Sequence, residues 1–519
     1  MAKRFIPAFI FALLLGAQAQ AKVIVIYHTS DVHGRYAARA VDKSTGTIGG
    51  FPALSALVKK EKNPYILLDS GDWYQGTLEG NLTKGMASVQ MMNLLGYKAS
   101  AIGNHEYDFG EDNLKLLVSS ANFAVLGANI KNKSDGSLVS YAKPYAIVDV
   151  DGIKIGIIGI ANADTSHSAL PKYVENLTFE NEAATAAALA PEVKKQGANT
   201  VIAIVHDGST GGQQDARFDG AQWTPAEKEA TEGTVAIARA AKGELAVILG
   251  GHSHVAIDNG YFDKQSGALI AESGYALQLV SRVEMTFDDT TGKFTGATDK
   301  LVDLRTSEIG EDTTVLDALK PIEDSVGKTM NELVATAEAD IPRTIKGADY
   351  SDSPLGDLVC DIIRRSIKTE IVLHNTFGMR ANLSKGPVTL RSIYEILPFE
   401  NTVVTMELSG AQLEEMLRDN LKSSHSVIQE SGMEVEYSLG DDGAVSSLKI
   451  KINGKPLDKK QFYTVATNNY LAQGGSGGRI IAQGRNIKDT GLAIRDAVLS
   501  ELKTMPPLKF PITGRLKKI

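Results

Sequence analysis

Five short apolar runs in this chain each end at a residue whose side chain can bind a metal ion. Runs of about four to eight aliphatic or β-branched residues, bounded by Gly and Asp, are typical of buried β-strands. The runs are residues 22–29, 65–68, 99–102, 201–205 and 246–249, and the polar residues after them are Asp31, Asp72, Asn104, His206 and His252. In an open α/β sheet, ligands bind beyond the carboxyl ends of the strands. The pattern therefore predicts an α/β fold in which five strand ends converge on one site.

The motifs around these positions supply further metal-binding side chains. Asp31-Val32-His33-Gly34 and Gly250-Gly251-His252-Ser253-His254 each add an imidazole to the set. A polar turn after a strand would explain one such segment, but not repeated His and Asn at strand ends in a chain with nine His. In-line attack on a phosphate needs two cations about 3.5–4 Å apart, and this set of carboxylate, amide and imidazole donors can hold them. The donor types suit Zn, Mn, Fe, Co or Ni and do not choose among them.

With these segments the chain resembles the calcineurin-like metallophosphoesterases, and within them the 5'-nucleotidase/UDP-sugar hydrolase group. The resemblance covers nearly all of the chain after residue 21, because residues 375–383 and the sequence Leu397-Pro398-Phe399-Glu400-Asn401 resemble that group's C-terminal substrate domain. It implies an α/β fold made of a four-layer α-β-β-α metallophosphoesterase domain followed by a smaller α+β domain.

The resemblance also implies how two divalent metal ions would be held. One metal site would consist of Asp31, His33, Asp72 and His254. The other would consist of Asp72, Asn104, His206 and His252, so that Asp72 bridges the two ions. The ions are expected to be Zn, Mn, Co, Fe or similar, and the sequence leaves their identity open.

A catalytic pair, His105 and Asp108, is implied by the sequence Gly-Asn-His-Glu-Tyr-Asp at residues 103–108. An imidazole held by a carboxylate stays protonated and aimed, so it can stabilise charge on a phosphoryl oxygen or a leaving group. From the residues alone, Asp108 has a second reading as the cap of a helix predicted over residues 111–118. The two roles are compatible.

Substrate contacts implied by the resemblance lie in the C-terminal part of the chain. Arg380 ends a loop that begins at Asn375, and its planar fork of donors suits a phosphate. Phe399 and Tyr470 stand where this family stacks a nucleobase between two rings, and Asn401 resembles a neighbouring base contact. Without the resemblance, Arg380 would be interpreted as a surface charge and the two aromatic residues as part of the core.

Two positions depart from the pattern of the nucleotidases. Ser476 stands where these enzymes usually place an Asp that holds the ribose hydroxyls. The segment before Leu355-Gly356-Asp357-Leu358 usually carries a phosphate-binding Arg, whereas this chain has Ser351 at the nearest aligned position and Arg343 further upstream. Both departures concern the substrate and leave the metal-binding set intact.

Length and composition predict two or more domains in an ordinary globular protein. A chain of 519 residues is too long for one hydrophobic core. We expect a metallophosphoesterase domain over residues 22–303, a linker with a helix over residues 304–340, and a substrate domain over residues 341–519. Apolar residues recur at helical spacing over residues 313–335, with Pro321 expected to kink or split the helix. This helix would be either a hinge between the domains or a surface helix packed on one of them.

The first 21 residues have the pattern of a cleavable signal peptide. Lys3 and Arg4 precede an apolar stretch over residues 5–15, and the tripeptide Ala19-Gln20-Ala21 suits cleavage after Ala21. The apolar stretch is shorter than the roughly 20 residues needed to span a bilayer, so no stable membrane anchor is expected. The single cysteine, Cys360, excludes an intrachain disulfide. We therefore expect a periplasmic or secreted protein.

The sequence as a whole predicts a two-metal hydrolase of 5'-nucleotides or related small phosphoesters, with phosphate released by attack of a metal-activated hydroxide. A net charge of −8 argues against a nucleic-acid polymer as partner, so a small-molecule phosphoester, most simply a nucleotide, is the expected one. The alternatives are a 2',3'-cyclic nucleotide phosphodiesterase, a UDP-sugar hydrolase and a thiosulfohydrolase. A non-catalytic nucleotide-binding protein on the same scaffold is the alternative from a different functional class.

Overall fold

In the computed structural model, the described residues are 21–42, 46–209, 216–225, 231–343, 352–399, 401–421, 428–511 and 514–519. The predicted signal peptide therefore lies outside the described residues, except for Ala21. Among the helices of these residues, none is long and apolar enough to cross a membrane.

The first part of the chain alternates short strands and helices up to residue 309. The strands are β1 Ala21–Thr29, β2 Arg39–Asp42, β3 Gly46–Ile48, β4 Tyr65–Asp69, β5 Ala99–Ala101, β6 Ala124–Leu126, β7 Ile130–Asn132, β8 Tyr145–Val150, β9 Ile153–Ile160, β10 Leu177–Phe179, β11 Thr200–Val205, β12 Arg217–Asp219, β13 Val247–Gly250, β14 Ala256–Asp258, β15 Tyr261–Asp263, β16 Ala268–Glu272, β17 Leu279–Asp288, β18 Phe294–Thr298 and β19 Leu301–Asp303. The helices are α1 Phe51–Val58, α2 Leu78–Leu82, α3 Met86–Leu95, α4 Glu111–Ser120, α5 Thr165–Ser168, α6 Pro171–Val174, α7 Glu182–Lys195, α8 Gly233–Ala240 and α9 Thr306–Ile309.

The second part begins with a long helix and mixes helices with mostly antiparallel strands. The helices are α10 Thr313–Met330, α11 Pro354–Ile367, α12 Leu390–Ile396, α13 Gly410–Asn420, α14 Asn469–Ala472 and α15 Ile494–Leu502. The strands are β20 Leu333–Ala337, β21 Ile371–Asn375, β22 Gly386–Thr389, β23 Thr402–Ser409, β24 Ile428–Ser431, β25 Met433–Leu439, β26 Val445–Ile452, β27 Lys455–Pro456, β28 Phe462–Asn468, β29 Arg485–Ala493 and β30 Leu516–Lys518.

Two large sheets make up the first domain. One has the strand order β18-β17-β1-β4-β5-β6, with β19 paired to β17, and the other has the order β15-β16-β13-β11-β9-β8. Strands β1, β4, β5 and β6 run parallel in the first sheet, as do β9, β11, β13 and β16 in the second. The predicted metal-binding residues follow β1, β4, β5, β11 and β13. Because parallel strands end at the same edge of a sheet, the fold brings these residues together.

Alternating residues of the strands separate the layers. In β1, Ile24 and Ile26 pack in a core shared with the second sheet, whereas Val25 and Tyr27 pack in a core with α1, α3 and α4. In β11 the same alternation directs Ala203 toward a core with α7 and α8. The order of layers is therefore helix, sheet, sheet, helix, which confirms the four-layer arrangement expected for this domain.

The second domain is a smaller α+β unit. Its five-stranded sheet has the order β24-β21-β28-β23-β29, and a four-stranded sheet has the order β27-β26-β25-β30. Helices α11 and α15 pack on one side in a core that buries Cys360, and α13 packs in a separate core. The sequence pattern also predicts a helix over residues 355–367 and a strand over residues 370–374, and the structure has α11 and β21 there, within one residue at each end.

Helix α10 contacts both domains. Val315 and Leu319 pack in the core of the first domain, while Val326 and Met330 pack with Leu390 and Tyr394 of the second. Pro321 lies within this one helix and does not split it. The helix ends at Met330, so the prediction of a helix to residue 335 is wrong. Leu333 continues the helical spacing of apolar residues, but its side chain is exposed and it begins β20, which pairs with β22.

Gly159 in the second sheet packs directly against Leu126 in the first sheet. A Cβ at Gly159 of β9 would overlap the side chain and backbone of Leu126 in β6. Gly327 in α10 has open space around the position of a Cβ.

We predict opposite effects for alanine at these two glycines. Gly159→Ala should overpack the space between the sheets and lower stability by roughly 1–3 kcal/mol. Gly327→Ala should raise it by roughly 0.5–1 kcal/mol, since the helix interior favours Ala over Gly. Thermal unfolding measured by calorimetry checks both. An unchanged transition for Gly159→Ala would mean that the sheets are further apart than the structure shows.

Candidate functional site

The loops after the strands are tight turns that hold five of the predicted metal ligands in left-handed backbone conformations. Their φ angles are 51° for Asp31, 50° for His33, 61° for Asp72, 67° for His252 and 60° for His254. Residues other than Gly rarely adopt positive φ, and such strained residues concentrate at functional sites. The side chains of these residues meet in two neighbouring clusters.

The first cluster consists of Asp31, His33 and His254, with ligand atoms all within 4.8 Å of one another. The Nδ1 of His33 lies 2.6 Å from the backbone oxygen of Gln75, which can only accept, so this nitrogen carries the proton. Burial, with His254 as a second cause, holds the pKa of His33 well below its usual range, so the ring is neutral. The lone pair on its Nε2 faces the Nε2 of His254 at 2.9 Å.

The second cluster consists of Asp72, His206 and His252, again within 4.8 Å. The Nδ1 of His206 donates to the backbone oxygen of Ser70 at 2.7 Å. Its Nε2 then faces Oδ2 of Asp72 at 3.3 Å and Oδ1 of Asn104 at 3.1 Å. The same Asp72 oxygen lies 3.9 Å from Nε2 of His33 in the first cluster. Asp72 therefore lies between the two clusters, where the sequence predicts a bridging ligand.

This donor set fits a pair of divalent cations. Imidazole nitrogens, carboxylate oxygens and an amide oxygen converge here, and these are the donor atoms that divalent transition-metal ions bind. In the protein alone, a proton on His206 supplies positive charge. Burial lowers its pKa, but the Asp72 carboxylate outweighs burial and raises it to about 10.

Two buried carboxylates outside the predicted set hold the ligand loops in place. Glu106 accepts hydrogen bonds from the backbone N–H groups of Gly103, Asp72 and Trp73 at 2.7, 2.9 and 2.8 Å. Glu272 accepts from Ser209 and from the Ser253 hydroxyl, between the two predicted ligands His252 and His254. Neither residue could be assigned a role from the sequence, because the backbone amides around Glu106 and the hydroxyls around Glu272 come mostly from distant segments of the chain. Supporting contacts of this kind orient metal ligands.

His105 and Asp108 form the pair expected from the motif. Nδ1 of His105 lies 2.9 Å from Oδ2 of Asp108, and both side chains are largely buried. Burial lowers the pKa of His105, but the carboxylates of Asp108 and then Asp72 outweigh it and raise the value above its usual range. The alternative in which Asp108 caps the following helix is wrong, since α4 begins after Gly110 and has no side-chain cap.

A cavity of about 640 Å³ lies between the domains and contains the predicted residues of both. From the first domain it is lined by Asp72, Asn104, His105, Asp108, His252 and His254, and from the second by Asn375, Arg380, Phe399, Asn401, Tyr470 and Ser476. The Phe399 ring lies 5.8 Å from the His105 ring. The structure thus places all five predicted substrate residues in one cavity with the predicted catalytic pair, and their roles remain predictions.

A second, smaller cavity brings arginines to the first metal cluster. It is lined by His33 and His254 together with Arg35, Arg343 and Arg380. Arg343 donates to the backbone oxygen of Arg380 at 3.4 Å. Although Arg343 is upstream of the position where the family usually has a phosphate-binding Arg, the fold returns it to the site. Ser351, at the aligned position, lies outside the described residues.

Comparisons with known proteins agree with this architecture. The sequence-family model of the calcineurin-like phosphoesterases matches residues 24–256. The family model of the 5'-nucleotidase C-terminal domain matches residues 326–483. The chain is similar to a 5'-nucleotidase precursor of known structure from Thermus thermophilus, with a TM-score of 0.81 and 26% identity over 96% of this chain and 99% of that one. Residues 24–256 therefore form a calcineurin-like phosphoesterase domain, and residues 326–483 form a 5'-nucleotidase C-terminal domain.

Two relatives known from sequence cover nearly the whole chain. The trifunctional nucleotide phosphoesterase protein YfkN from Bacillus subtilis is 26% identical over 96% of this chain, which spans only 35% of YfkN. A 5'-nucleotidase from Diplobatis ommata is 25% identical over 95% of this chain and 89% of its own length.

We predict that Asp72→Asn releases metal from both clusters. The substitution keeps the shape of the side chain but removes the charge that would be shared between two cations, so bound metal should fall from about two ions per chain to fewer than one. Metal content of the purified protein, measured by inductively coupled plasma mass spectrometry, checks this. Asp112→Asn, in a fully exposed position on α4, is the control and should retain its metal. Two ions per chain in Asp72→Asn would contradict a bridging role.

Proposed function

We propose that this protein is a two-metal phosphoester hydrolase that releases phosphate from 5'-nucleotides. The observation that carries the proposal is one cavity that joins both metal clusters and the His105–Asp108 pair to the aromatic and arginine side chains of the second domain. The nucleotide phosphoesterase activities in the names of the relatives support this substrate class.

The residues of the first domain would handle the phosphate. Two divalent cations, when bound to the two clusters, would neutralise phosphate charge and activate water as the nucleophile. Asp72 would hold both, with Oδ1 fixed by the His105 backbone N–H at 2.9 Å so that Oδ2 faces the metal-binding imidazoles. The His105 imidazolium, held by Asp108, would stabilise charge on the phosphoryl oxygens or protonate the leaving oxygen.

The residues of the second domain would hold the organic part and add positive charge. Arg380 lines both cavities, next to the first metal cluster and next to the substrate space, so it is placed to contact a phosphate from the second domain. Phe399 and Tyr470 would hold the base. The Asn375 side chain is oriented by Asn468, which donates to its Oδ1 at 2.7 Å.

The rival enzymes differ in the bond they cleave. Cyclic-nucleotide phosphodiesterases of this superfamily usually show Asn where this chain has Asp108, which favours the nucleotidase. A panel of AMP, 2',3'-cyclic AMP, UDP-glucose and an aryl phosphate, assayed with added Mn²⁺ or Zn²⁺, separates the rivals by their products. Phosphate release from AMP supports the proposal, and nucleotide binding without any turnover would instead identify a binding protein.

We predict that His105→Asn lowers kcat and kcat/KM for AMP by the same factor of about 10²–10⁴, because the imidazole acts on the transition state. Steady-state kinetics measure both constants, and metal analysis shows whether the clusters are intact. A change confined to KM would show that His105 binds the ground state.

We predict that Ser476→Asp increases the preference for AMP over dAMP. A carboxylate that accepts from ribose hydroxyls makes charge-assisted bonds worth roughly 1.5–3 kcal/mol each, and Ser476 replaces only part of this. Ser476→Asn is the matched control, because its side chain has the size of the Asp side chain but no charge. Comparison of kcat/KM for both nucleotides measures the effect. If the wild-type protein already strongly prefers AMP, other residues hold the ribose.

A further inference from the structure

The Tyr470 side chain connects the two domains beside the substrate cavity. Its hydroxyl donates to the backbone oxygen of His167 in α5 at 2.7 Å, and it accepts from the backbone N–H of Ser476 at 2.9 Å. One phenol oxygen thus bonds to a helix of the first domain and to a loop of the second.

The Tyr470 ring is held in its plane by the loop that follows it. A Cβ at Gly475 would lie 2.5 Å from the nearest atoms at the hydroxyl end of the ring, so the Gly475 backbone packs directly over that end. The ring can therefore offer only its other face to a base. With the hydroxyl also bound on both sides, its position is fixed before any ligand arrives.

The segment that Tyr470 reaches also contributes to the wall of the cavity. Asp164, Ser168, Leu170, Lys172 and Tyr173, on and around α5 and α6, line the same space as Tyr470 and Ser476. The hydrogen bond to His167 uses only the backbone, and the His167 side chain is 69% exposed. The bond therefore ties this wall of the first domain to the aromatic loop of the second.

We propose that the Tyr470 hydroxyl is an interdomain latch that positions the ring and the 164–173 wall around the organic part of the substrate. Tyr470 is then a positioning residue for base-carrying substrates, and a phenylalanine would keep the stacking surface but lose the latch. The inference rests on the proposed function. A small aryl phosphate reaches the metal clusters and makes little use of this wall, so the latch discriminates by substrate size.

Tyr470→Phe tests the latch. Loss of a neutral hydrogen bond should raise KM for AMP about three- to tenfold, while kcat and the constants for an aryl phosphate change less than about twofold. Amide hydrogen exchange should become faster at Ser476 and within residues 164–173. Tyr65→Phe, at the start of β4 and therefore at the end of the strand away from the metal loops, is the control for loss of a phenol hydroxyl.

Three results would overturn the latch. They are an unchanged KM for AMP, an equal loss for AMP and the aryl phosphate, and unchanged exchange at these segments. If the wild-type protein releases phosphate from no nucleotide, the proposed function fails. The latch is then tested by amide hydrogen exchange alone. Faster exchange in Tyr470→Phe would still support it, and unchanged exchange would overturn it.

Discussion

Buried carboxylates and imidazoles in close contact define the centre of this protein. The nitrogens of His33 and His254 lie 2.9 Å apart, and Oδ2 of Asp72 lies within 4 Å of imidazoles from both clusters. Buried carboxylates in such a cluster need positive charge beside them. The two sheets, the left-handed turns after their strands and the Glu106 carboxylate all hold this arrangement in place.

The second domain completes the site by contributing positive charge and an aromatic ring. Arg380 and Phe399 approach the metal clusters from the opposite wall of the cavity. Ion pairs also connect the two domains, namely Arg35–Glu395 at 3.1 Å and Arg391–Glu79 at 2.6 Å. Because a substrate in the cavity would contact both domains, its binding and the packing of the domains are coupled.

The sequence predicts the centre of the site well and its supports poorly. Strand ends are predictable because apolar runs and Gly-Asp turns are local signals, and five of them led to residues that the structure places together. Roles for Glu106, Glu272 and the Tyr470 hydroxyl could not be assigned, since their partners lie mostly on distant segments brought together by tertiary structure. A phosphate-binding role for Arg343 could not be predicted, because its distance along the chain from the usual position does not give its distance in space. The end of α10 could not be predicted, since Leu333 continues the helical spacing of apolar residues although it already belongs to β20.

Anomalous diffraction from crystals grown with Mn²⁺ tests the two-metal centre most directly. The structure predicts two anomalous peaks about 3.5–4 Å apart, one beside Asp31, His33 and His254 and the other beside His206 and His252, with Asp72 between them. A single peak, or two peaks that do not share Asp72, would contradict the bridged centre.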